Sequence, residues 1–409
     1  MARVVVTGMS GYSPIGNSWA EIEGNLRARK NGVQYMKDWD EFEGLHTRLG
    51  APVKQFDLPA TFIRKRIRTM SRVSMLATAA SESALADAGL LNDPIIKSGR
   101  AGVAYGSSTG STEAIGDFAK MLNEKSTAGI TATTYIRMMG HTCAVNIGVF
   151  FGLQGRVIPT STACTSGSLG IGYAAEAIRQ GAQDVMIAGG AEELSVTEAA
   201  VFDTLYATST QNESPELSPR PFDSDRDGLV IGEGACTLIL ENRDHALRRG
   251  AHIYAEIIGF ATNSDGLHVT QPSPETMQTA IEMSLSDAQL APDEIGYVCA
   301  HGTATDRGDI AESLATHRVF GPNIPISSLK SYMGHTLGAC GALESWLTIE
   351  MLNNNWFAPT ANLDNIDPLC SELDYIQGEG RNLDIQYAMN NNFAFGGINT
   401  SLIFSRHRD

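Results

Sequence analysis

The sequence predicts an α/β protein built from two similar halves. Strand-like and helix-like stretches alternate along the chain, and the same alternation begins again near residue 253. In the first series, the apolar runs at Val4–Thr7, Ala101–Tyr105, Val185–Ala188 and Thr237–Glu241 read as strands of a largely buried sheet. Stretches rich in Ala, Leu and Glu over Ser74–Ala88 and Leu169–Arg179 read as helices between them. In the second series, the strand-like runs IYAEIIGFA, YVCAHGT, YAMNNNFAF and TSLIFS alternate with helix-like stretches at Thr276–Ala288 and Ala342–Leu352. No strong sequence repeat accompanies this pattern, so duplication is read from the layout. The boundary falls at Arg249–Ile253 and divides the chain into residues 1–250 and 251–409. That junction is not Pro-rich, so the halves should pack into one body.

Composition narrows the function. A chain of 409 residues, 43% of them hydrophobic, can bury a large core. Charged residues make up 19% and no polar low-complexity tract is present, which argues against disorder. The opening MARVVVTGMSGYSPIG does not read as a signal peptide, because a strand-length run ends at Gly8 and Ser10, Gly11 and Pro14 follow. No apolar stretch reaches the roughly 18 to 20 residues needed to span a bilayer. A soluble, cytoplasmic protein with no membrane partner is expected. The formal net charge of −16 argues against nucleic acid as the main partner. It leaves room for an acidic partner at a local basic patch. The six cysteines, Cys143, Cys164, Cys236, Cys299, Cys340 and Cys370, form no CxxC pair, so a zinc ribbon or thioredoxin-like motif does not fit. Glycines cluster at Gly189–Gly190, Gly228–Gly234 and Gly396–Gly397, which marks turns where the backbone passes close to something.

The segment PTSTACTSGSLGIGYAAEAIRQG carries the strongest chemical signal. Cys164 follows a short run of small residues and precedes a helix-like stretch. A cysteine near a helix N-terminus is expected to favour thiolate. Its small neighbours would admit a thioester, and the turn can supply an N–H to an oxyanion. The plain alternative is a buried structural cysteine. Two histidine segments follow, CAHGTATDRGDIAE with His301 and SSLKSYMGHTLGACGALE with Lys330 and His335. Two glycine-bordered histidines in the same chain as this cysteine turn suit a Cys–His–His site. Metal binding is the rival, but no zinc-like spacing is present. The run RKRIRTMSR reads either as a solvated face or as a docking patch.

The segments TACTSGS, HGTATDRGD, LKSYMGHTLGACGALE and NNFAFGGIN resemble four motif regions of β-ketoacyl-[acyl-carrier-protein] synthases of the synthase I/II branch, within the thiolase superfamily. The likeness runs nearly end to end, through VVVTGMSGYSPIGN, MIAGGAEE and RPFDSDRDGLVIGEGA. It implies a duplicated thiolase-like fold of five layers, αβαβα. It implies decarboxylative condensation of an acyl-enzyme with malonyl-[acyl-carrier-protein], in fatty-acid or specialised polyene or polyketide-type biosynthesis. By the same resemblance, Cys164 is the nucleophile, and His301 and His335 bind the malonyl carbonyl and stabilise the enolate. Lys330 orders the site, with Glu312 as its acidic partner. Phe395 is the gate, and its N–H joins that of Cys164 in the oxyanion hole. Thr303, Thr305, Asp265 and His268 belong to the malonyl and phosphopantetheine channel, Asp265 and His268 in a mobile loop beside the gate. Thr109 and Phe202 belong to the acyl pocket, and Lys65 and Arg68 dock the carrier protein. No diffusible cofactor and no metal are implied, since the substrates bring their own phosphopantetheine arm. A homodimer is expected, or a heterodimer with a related subunit.

Several positions depart from the family pattern. Ala394 replaces a glycine of the gating loop, which narrows its backbone freedom. Thr109 puts a hydroxyl where relatives often carry isoleucine or glycine, which suggests a shorter, unsaturated or oxygenated acyl chain. Tyr332 and Met333 replace a methionine and a threonine. Cys299 replaces an asparagine of a structural cation site in relatives, which puts that site in question. Together these changes suggest a specialised synthase. The competing reading is a non-catalytic, chain-length-factor-like partner subunit. Such subunits typically lose the nucleophile, whereas Cys164, His301, His335 and Lys330 are all present. A thiolase would need a second catalytic cysteine where NNFAFGG carries Phe395.

Overall fold

The computed structural model describes residues 2–407. Its main sheet contains β1 (Val4–Tyr12), β2 (Ala101–Gly106), β3 (Val157–Pro159), β4 (Val185–Glu192), β5 (Gly234–Asn242), β6 (Ala255–Ser264), β7 (Ile295–Cys299), β8 (Pro325–Ser327), β9 (Asp374–Tyr375), β10 (Tyr387–Ala394) and β11 (Ile398–Arg406). They lie in the order β9-β8-β7-β10-β11-β6-β1-β5-β4-β2-β3.

Duplication is visible in this order. Numbered within each half, the five strands β1–β5 and the five strands β6, β7, β8, β10 and β11 both lie as 3-2-4-5-1. Pairing directions also agree. In each half the second strand is parallel to the third and fourth, and the fifth is antiparallel to the fourth and first. The halves join where β1 pairs with β6, through only Val5–Glu256 and Val6–Ala255.

Helices Ser166–Arg179 and Cys340–Asn354 pack against each other and against strands of both halves, which makes them the middle layer. Helices Arg72–Asp87 and Thr142–Phe151 cover the outer face of the first half, and Pro274–Ala288 covers that of the second. This is the five-layer αβαβα arrangement. The middle helix Cys340–Asn354 is buried nearly all round, as a helix between two sheets must be.

Two expectations about glycine change. The first strand does not stop at Gly8 but continues to Tyr12. A side chain at Gly8 would meet the Ala84 carbonyl at 2.3 Å, and one at Gly11 would meet the Trp346 ring at 2.8 Å. The glycines are there because helices press on both faces of the strand. Likewise, Gly189 and Gly190 lie within β4 rather than in a turn, because other backbone passes within contact of them. No helix among the described residues is long and apolar enough to cross a membrane.

A Cβ at Gly190 would lie 2.2 Å from the Gly338 carbonyl and 2.8 Å from Gly167 Cα. Gly190→Ala should therefore destabilise the protein by about 1–3 kcal/mol through overpacking. A lowered midpoint in urea unfolding, without a changed slope, would report this.

Candidate active site

The middle layer brings the chemistry together. Cys164 lies just before the helix Ser166–Arg179, and His335 lies in the turn before the helix Cys340–Asn354. These helices approach closely at their N-terminal turns, where a Cβ on Gly167 would be 2.9 Å from the Ala342 nitrogen. Close approach at that end leaves Cys164 Sγ 3.0 Å from His335 Nε2.

The Cys164 turn is held locally. Ala163 is left-handed at φ +51, a conformation that costs a residue with a Cβ about 1 kcal/mol or more. Ser166 secures it. Its hydroxyl donates to the Ala163 carbonyl at 2.6 Å and accepts the Thr162 N–H at 2.9 Å. The backbone amides of Phe395 and Cys164 favour the charged form of the Cys164 sulfur. The expectation of a favoured thiolate is not met. Burial pushes the thiol up to about 11, against the opposing pull of Lys330 and the two amides.

His301 follows β7 and sits with its ring centroid 5.2 Å from that of His335, nearly perpendicular to it. Its turn hangs on two acids of the helix Asp306–Phe320. Glu312 accepts the N–H groups of His301 and Gly302 at 2.7 and 2.6 Å. Asp309 accepts those of Thr303 and Ala304 at 2.9 and 3.1 Å.

Lys330 Nζ lies 3.2 Å from His301 Nδ1. An ammonium can only donate, so Nδ1 is the acceptor and the ring proton sits on Nε2. In His335, Nδ1 has no partner among the described residues. An idle acceptor is tolerated more readily than an idle buried N–H, so this ring also carries its proton on Nε2. Burial first, then the charge of Lys330, drives both histidines well below their ordinary pKa, with His335 adding to the effect on His301. Both imidazoles are therefore neutral Nε2–H donors.

Glu312 is not the partner of Lys330. The ammonium instead forms a close ion pair with Glu344, which also accepts from Asn392 Nδ2 at 2.6 Å. Burial opposes the Lys330 charge, but Glu344 holds the ammonium protonated. Glu312 is occupied by the two amides of the His301 turn. Glu344 had one readable signal: it is the lone acid in the apolar run CGALESWLTI, and an acid buried there needs a partner. Asn392 had none.

A cavity of about 540 Å³ opens onto this cluster. Cys164, His301, His335, Phe395, Phe202 and Glu312 line it, together with Thr303, Thr305 and Asp265. Thr303 and Thr305 share a hydroxyl hydrogen bond of 2.8 Å. Phe395 lies between β10 and β11, its ring centroid 5.0 Å from that of Phe202. The loop after β6 latches onto this segment: Gly396 N–H donates to Val269 at 2.8 Å and Asp265 N–H to Gly397 at 2.7 Å. The left-handed Gly396 and Gly397 supply the bend, at φ +89 and +69. Ala394 pairs with Ile398 at the strand end, where a Cβ is no obstacle.

Four expected residues lie elsewhere. His268 is exposed and does not line the cavity, because its Nδ1 accepts the N–H of Thr270 at 3.1 Å. Thr109 is exposed, does not line the cavity and donates to Glu198 at 3.2 Å. Lys65 and Arg68 are exposed on the outer surface. Their neighbours Arg66 and Arg72, also exposed, contact the Phe150 ring and Glu233.

One donor atom from each of Cys164, His301 and His335 falls within 4.8 Å of the others, a spread that a metal could bridge. The buried ammonium beside His301 opposes a second cation there.

Known proteins share the sequence and the fold of this chain. Residues 1–246 match the β-ketoacyl synthase N-terminal domain, and residues 254–364 match the β-ketoacyl synthase C-terminal domain. The chain belongs to the β-ketoacyl synthase family. It is 39% identical to 3-oxoacyl-[acyl-carrier-protein] synthase 2 of Vibrio cholerae, over 99% of both chains. A crystal structure of a β-ketoacyl synthase from Burkholderia phymatum is 60% identical and superposes with a TM-score of 0.99, covering all of both chains. A ketosynthase in complex with its chain length factor, from Xenorhabdus doucetiae, is 27% identical with a TM-score of 0.84, over 99% of this chain and 98% of that one. This family member is a condensing acyltransferase with a thiolase-like fold.

Removing Glu344 would leave the Lys330 ammonium buried without a countercharge. Glu344→Ala should cost about 3–5 kcal/mol of stability. Denaturant unfolding of the variant beside wild type checks this.

Proposed function

We propose that this synthase joins an acyl group held on Cys164 to malonyl-[acyl-carrier-protein], releasing carbon dioxide and 3-oxoacyl-[acyl-carrier-protein]. The observation that carries this reading is the convergence of Cys164, His301 and His335 on one cavity, with Cys164 Sγ 3.0 Å from His335 Nε2.

In the first half-reaction, the Cys164 sulfur attacks the carbonyl of the incoming thioester. The Cys164 and Phe395 amides receive the oxyanion. The carrier thiolate leaves and takes up the proton that the cysteine gave up. In the second, the malonyl thioester loses carbon dioxide, and its enolate oxygen accepts from the Nε2–H of His301 and His335. The α-carbon attacks the acyl-enzyme, and the Cys164 thiolate leaves and is reprotonated. Acylation and condensation are thus separate steps, which gives ping-pong kinetics. Lys330 acts through His301, by fixing its tautomer and keeping it uncharged.

The acyl and malonyl groups arrive on an acyl carrier protein, so no diffusible cofactor takes part. Arg64, Lys65 and Arg68 form an exposed basic patch suited to an acidic carrier. Two synthase chains pair along the β3 edge, which is hydrogen-bonded on one side only and leaves Val157 46% exposed. A related subunit could take the same place; the Xenorhabdus doucetiae ketosynthase is found in complex with its chain length factor. The protein works in the cytoplasm. The retained nucleophile, set in working geometry, separates it from a non-catalytic partner subunit.

The direct test is intact-protein mass spectrometry of wild type and Cys164→Ala, each offered a panel of acyl-carrier thioesters. Wild type should gain one acyl mass and the variant none. If neither protein is acylated by any donor, the condensing reading fails.

The histidines also set a pH expectation. Because both lie well below the ordinary 6.5, they stay neutral as pH falls through the usual histidine range. Malonyl decarboxylation should therefore stay level from about pH 8 to pH 6 and drop only when pH falls through the lowered values. A stopped-time assay of carbon dioxide release across that range checks this.

A further inference from the structure

Arg226 is a buried cation that the condensation chemistry leaves unassigned. It belongs to the first half, in the segment between the helix Val196–Asp203 and β5, and its side chain is 3% exposed. Its guanidinium reaches the turn of the second half that follows His301. Nε donates to the Thr305 carbonyl at 3.4 Å, and Nη2 donates to the Asp306 carbonyl at 3.1 Å. Nη1 donates to the Asp223 carbonyl at 2.9 Å and pairs with Asp367. Asp309, also buried, lies 3.7 Å from Nε. It accepts the Phe222 N–H at 2.8 Å as well as those of Thr303 and Ala304.

That turn is strained. Ala304 is left-handed at φ +65, a conformation that a residue with a Cβ keeps only where its surroundings enforce it. The enforcing contacts come from two directions. Asp309 holds the amides of Thr303 and Ala304, and Arg226 holds the carbonyls of Thr305 and Asp306. Thr303 and Thr305 flank Ala304, line the cavity and share a hydroxyl hydrogen bond. In such a pair one hydroxyl gives its proton to the other, and the second keeps a proton for a substrate acceptor. An amide carbonyl of the carrier's arm is an acceptor of that kind. Relaxation of Ala304 to a right-handed shape would turn the two threonines apart and break up the pair.

We infer that Arg226 is a positioning residue for the substrate arm: it clamps the strained turn at Ala304, so that Thr303 and Thr305 stay paired on the cavity wall. This rests on the condensing-enzyme reading, because the arm is that of the carrier which delivers the acyl group to Cys164. Arg226 acts through backbone carbonyls, so its forked donors matter as well as its charge. A lysine would keep the charge facing Asp309 and Asp367 and lose the fork.

The test measures Cys164 acylation by intact mass over a range of donor concentrations. The donors are the acyl group that wild type accepts fastest, on the carrier protein, and the S-phenyl thioester of the same acid. The S-phenyl donor reacts at the same sulfur but has no arm. Arg226→Lys should lower kcat/KM for the carrier donor by about tenfold, mostly through KM, and change it for the S-phenyl donor by about twofold at most. Retained reaction with the S-phenyl donor verifies that the site is folded. Adding Ala304→Gly to Arg226→Lys should return most of the lost carrier reactivity, because glycine takes the left-handed shape without strain. Arg226→Gln, which removes the charge and keeps an amide donor, is the second variant and should show the same split. Equal losses with both donors mean a merely structural role and would overturn the inference. A split that Ala304→Gly does not relieve would overturn it too, since Arg226 would then touch the arm itself. Unchanged carrier kinetics in folded Arg226→Lys would do the same. In each of these outcomes wild type is still acylated, and the condensing reading stands. Wild type that takes no acyl group from any carrier donor defeats both.

Discussion

The catalytic end depends on how closely the two middle helices meet. At their first turns, Gly167 packs on the Ala342 nitrogen and the Gly338 carbonyl, and Gly341 packs on Ser168. A side chain at either glycine would part the helices. Cys164 comes just before one helix and His335 just before the other, so their separation follows from that contact. The repeated topology places two similar helices back to back, and small residues at the contact turn that symmetry into a site.

Around this contact the charge is arranged to keep the reacting groups uncharged. Lys330 and Glu344 form a buried pair, and the ammonium also faces His301. Its field makes protonation of either imidazole costly. The same contact fixes the tautomer of His301, which leaves Nε2–H aimed away from the lysine. A buried ion pair of this kind is a poor source of stability. Its value here is in setting proton positions. Asp309 and Glu312 do similar work on the backbone, each holding two amides of the His301 turn.

Much of this was legible in the sequence, and the gaps have physical causes. The alternating pattern identified the strands and middle helices of both halves, because buried strands and helices differ in period. Cys164, His301 and His335 stood out because each is flanked by glycine and small residues. The Lys330 partner was misassigned because Glu312 and Glu344 are both buried acids, and only the fold decides which one reaches the ammonium. His268 was grouped with Asp265 by proximity in sequence, but a local hydrogen bond turns it to solvent. Gly8 and Gly189 looked like punctuation because glycine in a strand and glycine in a turn look alike without the neighbouring layer.

The state of the nucleophile shows how such effects compete. A helix N-terminus, a nearby ammonium and two amides all favour a thiolate, yet burial outweighs them and keeps the resting thiol protonated. The same amides are more useful once the substrate carbonyl arrives, because an oxyanion gathers its charge on one oxygen within their reach. In the proposed reaction the site is therefore better matched to the tetrahedral intermediate than to the free thiolate. A synthase that held a permanent buried thiolate would expose it to oxidation and stray acyl donors. Keeping the proton until a thioester enters ties activation of the sulfur to the presence of its substrate.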